Sequence, residues 1–363
     1  MGNAMLWTLY ASMVVDQCAR VVPVGTRYPI DIIEHTEQMM SGSIFKGSTL
    51  KIVPPADFSL PRDVCSYGYF VLMPNYWDVS RQTLSRVLEF DAKPSACVID
   101  QVDEGNGGVI RVRLDRKLDR TEQGQAKAQI GRMLCLDQSA ADLRAFHRVD
   151  PRWKKSGKGR LFRSPTLFED VIKTVTSCNV TWPSTVNMNR RLCEVCGRKS
   201  VSGAYSFPSA KKLARTRLGT LRGRCRVGYR DQRIIDLARL FVSGHVDEEW
   251  LTDPSASDDE VFKFLISLPG IGPYAGGNIM QLLGRYSRLA VDTETIRHGK
   301  SVLAMRGTDA QITKALHQHY DRFGEHKFRS YWFEIWQHYE SKAGPSHLWE
   351  RDLVSKAFTA ANL

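Results

Sequence analysis

The stretch from Leu268 to Gly277 has the residue types of a tight turn between two helices. Gly270 and Gly272 can adopt backbone conformations that are closed to other residues, and Pro273 suits the first position of a following helix. The first amides of that helix would have no partner within it, and the helix dipole adds positive potential there. The turn therefore predicts a backbone site for phosphate that reads no bases, whereas an ordinary helical hairpin is the alternative interpretation.

A carboxylate follows this turn by about twenty residues. Asp292 stands after the apolar residues Leu289 to Val291 and before Thr293 and Glu294, which is the pattern of a helix N-cap. A capping aspartate in a cleft beside bound phosphate is also a fixed carboxylate, so the two roles are compatible. Such a group can stabilise developing positive charge or accept a proton from a nucleophile.

Two kinds of hydrophobic periodicity separate the elements that would position these residues. Short apolar runs and alternation predict strands at Val109–Leu114, Ala96–Ile99, Tyr67–Met73 and Arg86–Phe90, and the glycine-rich residues 104–108 predict a hairpin. We therefore predict an α+β fold with an N-terminal antiparallel β-sheet domain over residues 49–132. A larger all-helical domain would follow over residues 133–345, between an extension of unassigned role (1–48) and a C-terminal tail (346–363).

Two helix starts in the predicted helical domain have recognisable capping residues. Ser164 and Pro165 offer an N-cap and a proline at the first helical position, ahead of an apolar stripe that begins at Leu167. Ser257 and Glu260 have the spacing of a capping box, in which each side chain binds the other residue's backbone amide.

The chain is basic, with 51 Lys and Arg against 39 Asp and Glu and a formal net charge of +12. The excess is concentrated in a segment that we call the basic stretch, Val195–Arg230, which contains ten basic residues and no acid. The acids gather instead between Asp247 and Glu260. Such segregation favours a one-sided surface for a polyanion, and nucleic acid is the leading candidate. The basic residues of Arg152–Arg160 fit either a solvated linker or a strand that touches phosphate.

The composition, with 42% hydrophobic and 25% charged residues, is that of a globular protein and excludes fibrous, disordered and disulfide-scaffold classes. The apolar run Met5–Val15 is too short to cross a membrane and lacks the basic start of a secretory signal. Eight scattered cysteines fit a reducing compartment. We predict an intracellular protein with no membrane partner, in the cytoplasm or nucleoid of a prokaryote or the nucleus of a eukaryote.

Taken together, the hairpin and Asp292 resemble the helix-hairpin-helix DNA glycosylase superfamily, over roughly residues 60 to 345. The layout is most similar to 8-oxoguanine and 3-methyladenine glycosylases, which share an N-terminal antiparallel sheet. The resemblance implies hydrolysis of the N-glycosidic bond of a flipped-out damaged or mismatched base. It also implies double-stranded DNA containing such a base as the partner, and we expect the protein to act as a monomer.

The resemblance assigns roles to individual residues. Asp292 would be the catalytic carboxylate, and Gly270 and Gly272 would bind DNA through the hairpin backbone. Asn179, after Ser177 and Cys178, looks like the residue that fills the gap left by the extruded nucleotide. Tyr229 and Arg230 look like the wedge beside the estranged base.

The chain departs from the family pattern at the position of the Schiff-base lysine. Tyr274 stands there, and because a phenol cannot form an imine, we predict a monofunctional glycosylase that uses water. Two alternatives stay open: a non-catalytic DNA-binding protein that keeps the hairpin, and a bifunctional glycosylase and lyase that uses another amine, of which Lys300 is the nearest in sequence.

The resemblance places three residues in the base pocket: Asn278, where animal-type 8-oxoguanine glycosylases carry a cysteine, Trp332 and Trp336. The two tryptophans suit stacking on an electron-poor base, with buried core aromatics as the alternative. Glu294 stands where the comparison family has a phosphate-binding histidine, and its charge predicts that it points elsewhere.

Cys193 and Cys196 form a Cys-x-x-Cys pair with only Cys178 and Cys225 nearby in sequence as further ligands for zinc. Iron-sulfur members of the superfamily carry four cysteines after the catalytic aspartate, and this sequence has no cysteine after Cys225. We therefore expect no metal and no other cofactor.

Overall fold

A five-stranded antiparallel sheet opens the part of the chain that the structure, a computed structural model, describes: residues 45–103 and 108–350. Its spatial order is β1-β5-β4-β3-β2. The strands are β1 (Thr49–Ile52), β2 (Tyr76–Asp78), β3 (Thr83–Leu88), β4 (Ser95–Val102) and β5 (Val109–Leu114). The alternation predicted for β5 is confirmed, since Ile110, Val112 and Leu114 are all buried.

Three of the four predicted strands are found, and one prediction is wrong. The runs at Arg86–Phe90 and Ala96–Ile99 overlap β3 and β4. The run Tyr67–Met73 contains a 3-10 helical turn, Gly68–Val71, because its consecutive apolar side chains are buried by packing and not by pairing in a sheet. A short apolar run has no period that separates these outcomes. The predicted turn residues 104–107 lie outside the described residues, but β4 and β5 pair on either side of them, Val102 with Val109.

Helices make up most of the described chain after the sheet, and one short helix precedes β2. They are α1 (Leu60–Val64), α2 (Arg120–Met133), α3 (Ala140–Val149), α4 (Leu167–Ser177), α5 (Trp182–Cys196), α6 (Ala210–Ala214), α7 (Asp231–Val242), α8 (Glu248–Thr252), α9 (Asp258–Ser267), α10 (Pro273–Leu282), α11 (Thr293–Ser301), α12 (Asp309–Asp321) and α13 (Lys327–Ala343).

One of the two predicted helix starts is confirmed. The box of Ser257 and Glu260 has both reciprocal hydrogen bonds at the start of α9. The predicted cap at Ser164 is wrong, because Thr166 is the N-cap of α4 and accepts a hydrogen bond from the Glu169 amide at 3.2 Å. The amide of Ser164 instead donates to Oδ1 of Asp170 at 2.8 Å. The predicted apolar stripe is also incomplete, since α4 is buried on every side from Leu167 to Thr176.

Two hydrophobic clusters pack the described residues. The first joins the sheet, through residues such as Ile99 and Val112, to the aromatic helix α13. The second joins α4, α5, α7 and α9. Helix α10 contributes Leu282 to the first cluster and Ile279 to the second. The helix that follows the glycine hairpin is therefore held at the junction of the two clusters.

Some of the sequence predictions concern residues outside the described ranges. The apolar run Met5–Val15 and most of the predicted extension lie outside them, as does the tail after residue 350. Within residues 45–103 and 108–350, none of the helices has the length and apolar character that a membrane span needs.

Candidate functional site

The glycine hairpin joins α9 to α10. Gly270 has a positive φ of 78°, and a Cβ atom added there would lie 2.6 Å from Cδ of Arg233. Gly272 is the N-cap of α10 and Pro273 its first residue, and both are exposed. The amide of Gly276 makes the first bond of the helix, to the carbonyl of Gly272 at 2.8 Å. The amides that precede it have no partner within the helix, which is the arrangement that suits a phosphate.

The same helix packs closely against the segment that leads to Asp292. A Cβ atom added to Gly277 would lie 2.9 Å from the carbonyl oxygen of Leu289 and 3.2 Å from Cα of Ala290. Both neighbours are backbone atoms, which cannot rotate away as a flexible side chain can. Gly277 therefore sets how closely the segment carrying Asp292 can approach the hairpin helix.

We expect the substitution Gly277→Ala to lower the free energy of unfolding by about 1 to 3 kcal/mol, because the added methyl group overpacks this contact. Denaturant unfolding followed by circular dichroism measures the change. The matched control is Gly124→Ala in helix α2, where a Cβ atom would meet nothing within 4 Å. There alanine should raise the free energy of unfolding by about 0.5 to 1 kcal/mol. Equal effects at the two sites would contradict the proposed close packing.

Asp292 caps helix α11, and Thr295 holds its carboxylate in place. Its Oδ1 accepts hydrogen bonds from the backbone amide and from Oγ1 of Thr295, both at 2.8 Å. Oγ1 of Thr295 also lies 2.5 Å from the hydroxyl of buried Tyr331 on α13. Burial raises the pKa of Asp292 above its ordinary value of 3.8, although the bonds from Thr295 favour the charged form. The carboxylate is therefore fixed in place and only partly compensated.

Tyr274 and Asn278 lie one turn apart on α10, and Tyr274 is near enough to Asp292 for the two groups to interact electrostatically. Burial, and then the charge of Asp292, raise the pKa of the Tyr274 phenol well above its ordinary value. Oδ1 of Asn278 accepts a hydrogen bond from the hydroxyl of Tyr67 at 3.1 Å. The ring of Tyr67 in turn lies 4.7 Å from that of Trp332. Asn278 and Trp332 are thus brought together by Tyr67, which sequence reasoning missed.

The two tryptophans of α13 have different surroundings. Trp332 is partly buried and donates from Nε1 to the carbonyl of Ser66 at 2.8 Å. Trp336 is only 1% exposed, stacks on Trp332 at 5.5 Å and donates to the carbonyl of Cys65 at 3.0 Å. Trp332 is partly exposed, whereas Trp336 is a core residue, which is the alternative interpretation of the pair.

Two charged residues near Asp292 in sequence are engaged elsewhere. Glu294 accepts hydrogen bonds from Arg297 and from the hydroxyl of Tyr339. Lys300 is exposed and pairs with Asp309 at 2.7 Å. It lies eight residues after Asp292 in chain order, on the third turn of α11, which puts it about 12 Å along the helix axis at 1.5 Å per residue.

Asn179 and Tyr229 both present side chains to solvent. Asn179 has a positive φ of 53° at the end of α4 and is exposed. Tyr229 is 52% exposed, and its ring centre lies 4.4 Å from the guanidinium carbon of Arg230 and 5.0 Å from that of Arg233. Because Arg233 also touches Gly270, the ring is connected to the hairpin through one side chain.

Arg230 is buried, whereas a direct DNA-binding role predicts an exposed side chain. It is 4% exposed, and its guanidinium donates to the carbonyls of Val175, Val227 and Cys178. These bonds join the end of α4, next to Asn179, to the turn that carries Tyr229. Arg230 therefore positions the two exposed residues and does not face solvent itself.

Most of the basic stretch is exposed. Eight of its ten basic residues face solvent, the exceptions being Arg198 and Arg230. Arg198 pairs with Glu89, and exposed Arg222 pairs with Asp231 at 2.8 Å. Six of the eight lie within the fifteen residues from Lys212 to Arg226, so the surface carries a dense local positive charge.

In the other basic segment, Arg152–Arg160, three of the five basic side chains form ion pairs, and Lys154 and Lys155 are exposed. Arg152 pairs with Asp150 and Glu334, Lys158 pairs with Glu340, and Arg160, which is fully buried, pairs with Asp57. Neither a solvated linker nor a phosphate-binding strand describes these three side chains.

The two cysteines of the Cys-x-x-Cys pair have different neighbours, although both belong to the second hydrophobic cluster. Cys193 is buried in the second hydrophobic cluster, whereas Sγ of Cys196 lies 3.8 Å from Sγ of Cys225. Among residues 45–103 and 108–350, no group of three or more histidine, cysteine or acidic side chains is arranged to hold a metal ion.

Comparison with known proteins gives a fold. No family model and no curated protein matches the sequence. The structure is similar to the apo form of the 8-oxoguanine glycosylase/lyase of Clostridium acetobutylicum, with a TM-score of 0.60 at 16% identity over 80% of this chain and 96% of that one. It is similar to 3-methyladenine DNA glycosylase from Archaeoglobus fulgidus, with a TM-score of 0.57 at 15% identity over 79% and 98%.

A third similar structure is MBOgg1 in complex with a low-affinity DNA ligand, with a TM-score of 0.60 at 18% identity over 81% of this chain and 97% of that one. The predicted resemblance to helix-hairpin-helix DNA glycosylases is confirmed at the level of the fold, a mixed α+β architecture with an antiparallel sheet.

Proposed function

We propose that this protein, which has the fold of helix-hairpin-helix DNA glycosylases, is a monofunctional DNA glycosylase of base excision repair. It would hydrolyse the N-glycosidic bond of a damaged or mismatched base that has left the duplex. The observation that carries the proposal is the fixed, half-buried carboxylate of Asp292 close to Tyr274, which stands at the position where lyases of this family have a lysine. The protein would act as a monomer, without a cofactor, on double-stranded DNA.

Asp292 supports hydrolysis by its charge and its position. When the glycosidic bond breaks, the sugar acquires positive charge, and a carboxylate already desolvated beside it gains attraction without having to reorganise. The same carboxylate can orient a water molecule and accept its proton. Opposite charges 4 Å apart attract by about 4 kcal/mol at an effective dielectric constant of 20, which corresponds to about a thousandfold in rate.

The DNA duplex would be held by surfaces on both sides of this carboxylate. The hairpin amides before Gly276 would bind a phosphate, and the exposed side chains of the basic stretch would bind phosphates further along. Tyr229 would enter the stack beside the flipped base, while Asn179 would occupy the gap that the base leaves. Arg230 would hold these two residues at a constant separation.

Tyr331 has a proposed positioning role that can be tested by pH dependence. The substitution Tyr331→Phe removes a hydrogen bond to Thr295, which itself donates to Asp292, so the carboxylate form loses support. Base release needs the carboxylate form, so the rate of base release falls as the pH drops through the pKa of Asp292. We expect this acid limb to move to higher pH and the rate at neutral pH to fall about fivefold, the loss of one hydrogen bond of about 1 kcal/mol.

Single-turnover base release, measured across pH on the best lesion substrate, gives both quantities. The matched control is Tyr320→Phe, which removes a buried hydroxyl that donates to Glu334 at 2.8 Å and not to Thr295. If the loss of any buried tyrosine hydroxyl had the same general effect, both variants would release the base more slowly and neither acid limb would move. That result would contradict the positioning role of Tyr331.

The experiment that tests the function uses duplexes that each carry one lesion: 8-oxoguanine, an alkylated purine, uracil, or an A·G or T·G mismatch. Products are divided and analysed with and without alkali. Strand breaks that need alkali support a monofunctional glycosylase, whereas a covalent adduct trapped by borohydride would show a lyase that uses another amine. Tight binding to every duplex with no base release would support the non-catalytic alternative.

A further inference from the structure

Two buried thiols that both belong to the basic stretch, 29 residues apart in sequence, lie close together in the fold. Cys196 is the last residue of α5, and Cys225 ends a π-helical segment, Thr220–Cys225. Their Sγ atoms lie 3.8 Å apart, and both side chains are buried. Nothing in the proposed glycosylase mechanism uses either thiol.

The surroundings of this pair favour a thiolate at Cys196. The hydrogen bond from Cys225 lowers the pKa of Cys196 below its ordinary value although burial opposes this, and a contact with Thr216 and the charges of Lys212 and Arg224 act in the same direction as the hydrogen bond. A thiolate is the form that attacks oxidants. Burial raises the pKa of the other thiols in the interior, such as Cys97 and Cys193, so they stay protonated.

The backbone around Cys225 connects the pair to the DNA-binding surface. Arg222, Arg224 and Arg226 are exposed and belong to the segment or follow it, and Arg226 has a left-handed φ of 56°. Tyr229 follows three residues later. The sulfur atoms of a disulfide are about 2.05 Å apart, so bond formation must draw Cys225 and Cys196 together. Both thiols belong to the second hydrophobic cluster, but Cys196 ends a regular α-helix of 15 residues, whereas Cys225 ends a π-helical segment of 6 residues. The movement therefore falls on the shorter segment, which carries the exposed arginines.

We propose that Cys196 and Cys225 are a redox-sensitive dithiol, which peroxide or a low-molecular-weight disulfide converts to an intramolecular disulfide that weakens binding to duplex DNA. The effect on DNA rests on the proposed function, whereas the chemistry of the thiols does not. Oxidation would move the three arginines out of the arrangement in which they reach phosphates.

The reaction with peroxide balances in two steps. The Cys196 thiolate attacks one oxygen of hydrogen peroxide, which breaks the O–O bond and gives a sulfenic acid and hydroxide. The hydroxide takes up the proton that Cys196 had lost, and forms water. Cys225 then attacks the sulfenic sulfur and releases a second water. Two thiols are oxidised by two electrons in all, and one peroxide is reduced to two waters.

The first experiment concerns the thiols alone. The full chain is treated with hydrogen peroxide, its free thiols are alkylated, and peptides are mapped by mass spectrometry before and after reduction. We expect a peptide pair joined through Cys196 and Cys225 that dithiothreitol separates. The control Cys193→Ala should still form this pair, because Cys193 belongs to the Cys-x-x-Cys pattern and not to the contact. A link between Cys193 and Cys196, or no link at all, would overturn the proposal.

The second experiment measures affinity for an undamaged duplex at several salt concentrations. For the reduced protein, tight and salt-dependent binding tests the proposed function separately. On oxidation we expect Kd to rise about tenfold. The slope of log Kd against log salt concentration should decrease by about 0.9 for each phosphate that the arginines no longer neutralise. Cys196→Ser and Cys225→Ser should bind like the reduced protein under both conditions. A disulfide that forms but leaves Kd and the salt dependence unchanged would overturn the regulatory role.

Discussion

Replacing Asp292 with asparagine should lower the rate of base release about a thousandfold and leave DNA affinity nearly unchanged. Asparagine keeps an oxygen that can accept the bonds of the Thr295 amide and hydroxyl, so helix α11 stays capped. What the variant lacks is the negative charge, worth about 4 kcal/mol against a sugar cation at close range, and the ability to accept a proton. Single-turnover base release measures the loss, and gel-shift binding measures the affinity.

A matched control separates the loss of charge from the loss of a cap. Asp119 also closes a capping box, at the start of α2, and Asp119→Asn makes the same chemical change in a helix remote in sequence from the hairpin. We expect this variant to release the base at the wild-type rate. If Asp292→Asn keeps full activity on a good substrate, Asp292 is not the catalytic carboxylate.

The parts of the site that sequence alone predicted depend on local causes. A turn at Gly270 needs a positive φ, the cap at Asp292 needs a hydrogen-bonding partner three residues later, and β5 needs alternation. Each is decided within a few residues, so the pattern carries enough information. The start of α4 shows the limit of such rules, since Ser164 and Thr166 are both good caps, and in the fold Thr166 caps the helix while the amide of Ser164 bonds to Asp170 six residues later.

The parts that sequence reasoning missed depend on contacts between distant residues. Tyr67 reaches Asn278 across 211 positions, Arg230 reaches Val175 across 55, and Cys196 reaches Cys225 across 29. From sequence alone, an arginine in a basic stretch is expected to be exposed and to bind phosphate. Arg230 has three carbonyl acceptors instead, because the end of α4 packs against the turn before α7. The Cys-x-x-Cys spacing likewise drew attention to Cys193, whereas the fold pairs Cys196 with another chain segment.

The exposed ring of Tyr229 should be the largest single contributor to recognition of a flipped base. Two guanidinium groups lie over the ring and orient it, and the side chain is nevertheless 52% exposed. Stacking of one base on an aromatic ring is worth about 1 to 3 kcal/mol. We therefore expect Tyr229→Ala to raise Kd for a duplex with a stable abasic-site analogue by about 5- to 150-fold.

The matched control is Tyr229→Phe, which keeps the ring and should retain nearly all of the affinity. A fluorescent adenine analogue next to the lesion distinguishes a wedge from a simple surface contact, because its emission rises when it loses its stacking neighbour. The wild-type protein and the phenylalanine variant should raise the emission, and the alanine variant should not, even at saturating protein. An alanine variant that still raises it fully would mean that another residue opens the stack. Because Arg233 contacts both Tyr229 and Gly270, a ring in the stack and a phosphate at the hairpin would be held in one fixed geometry, next to the segment that carries Asp292.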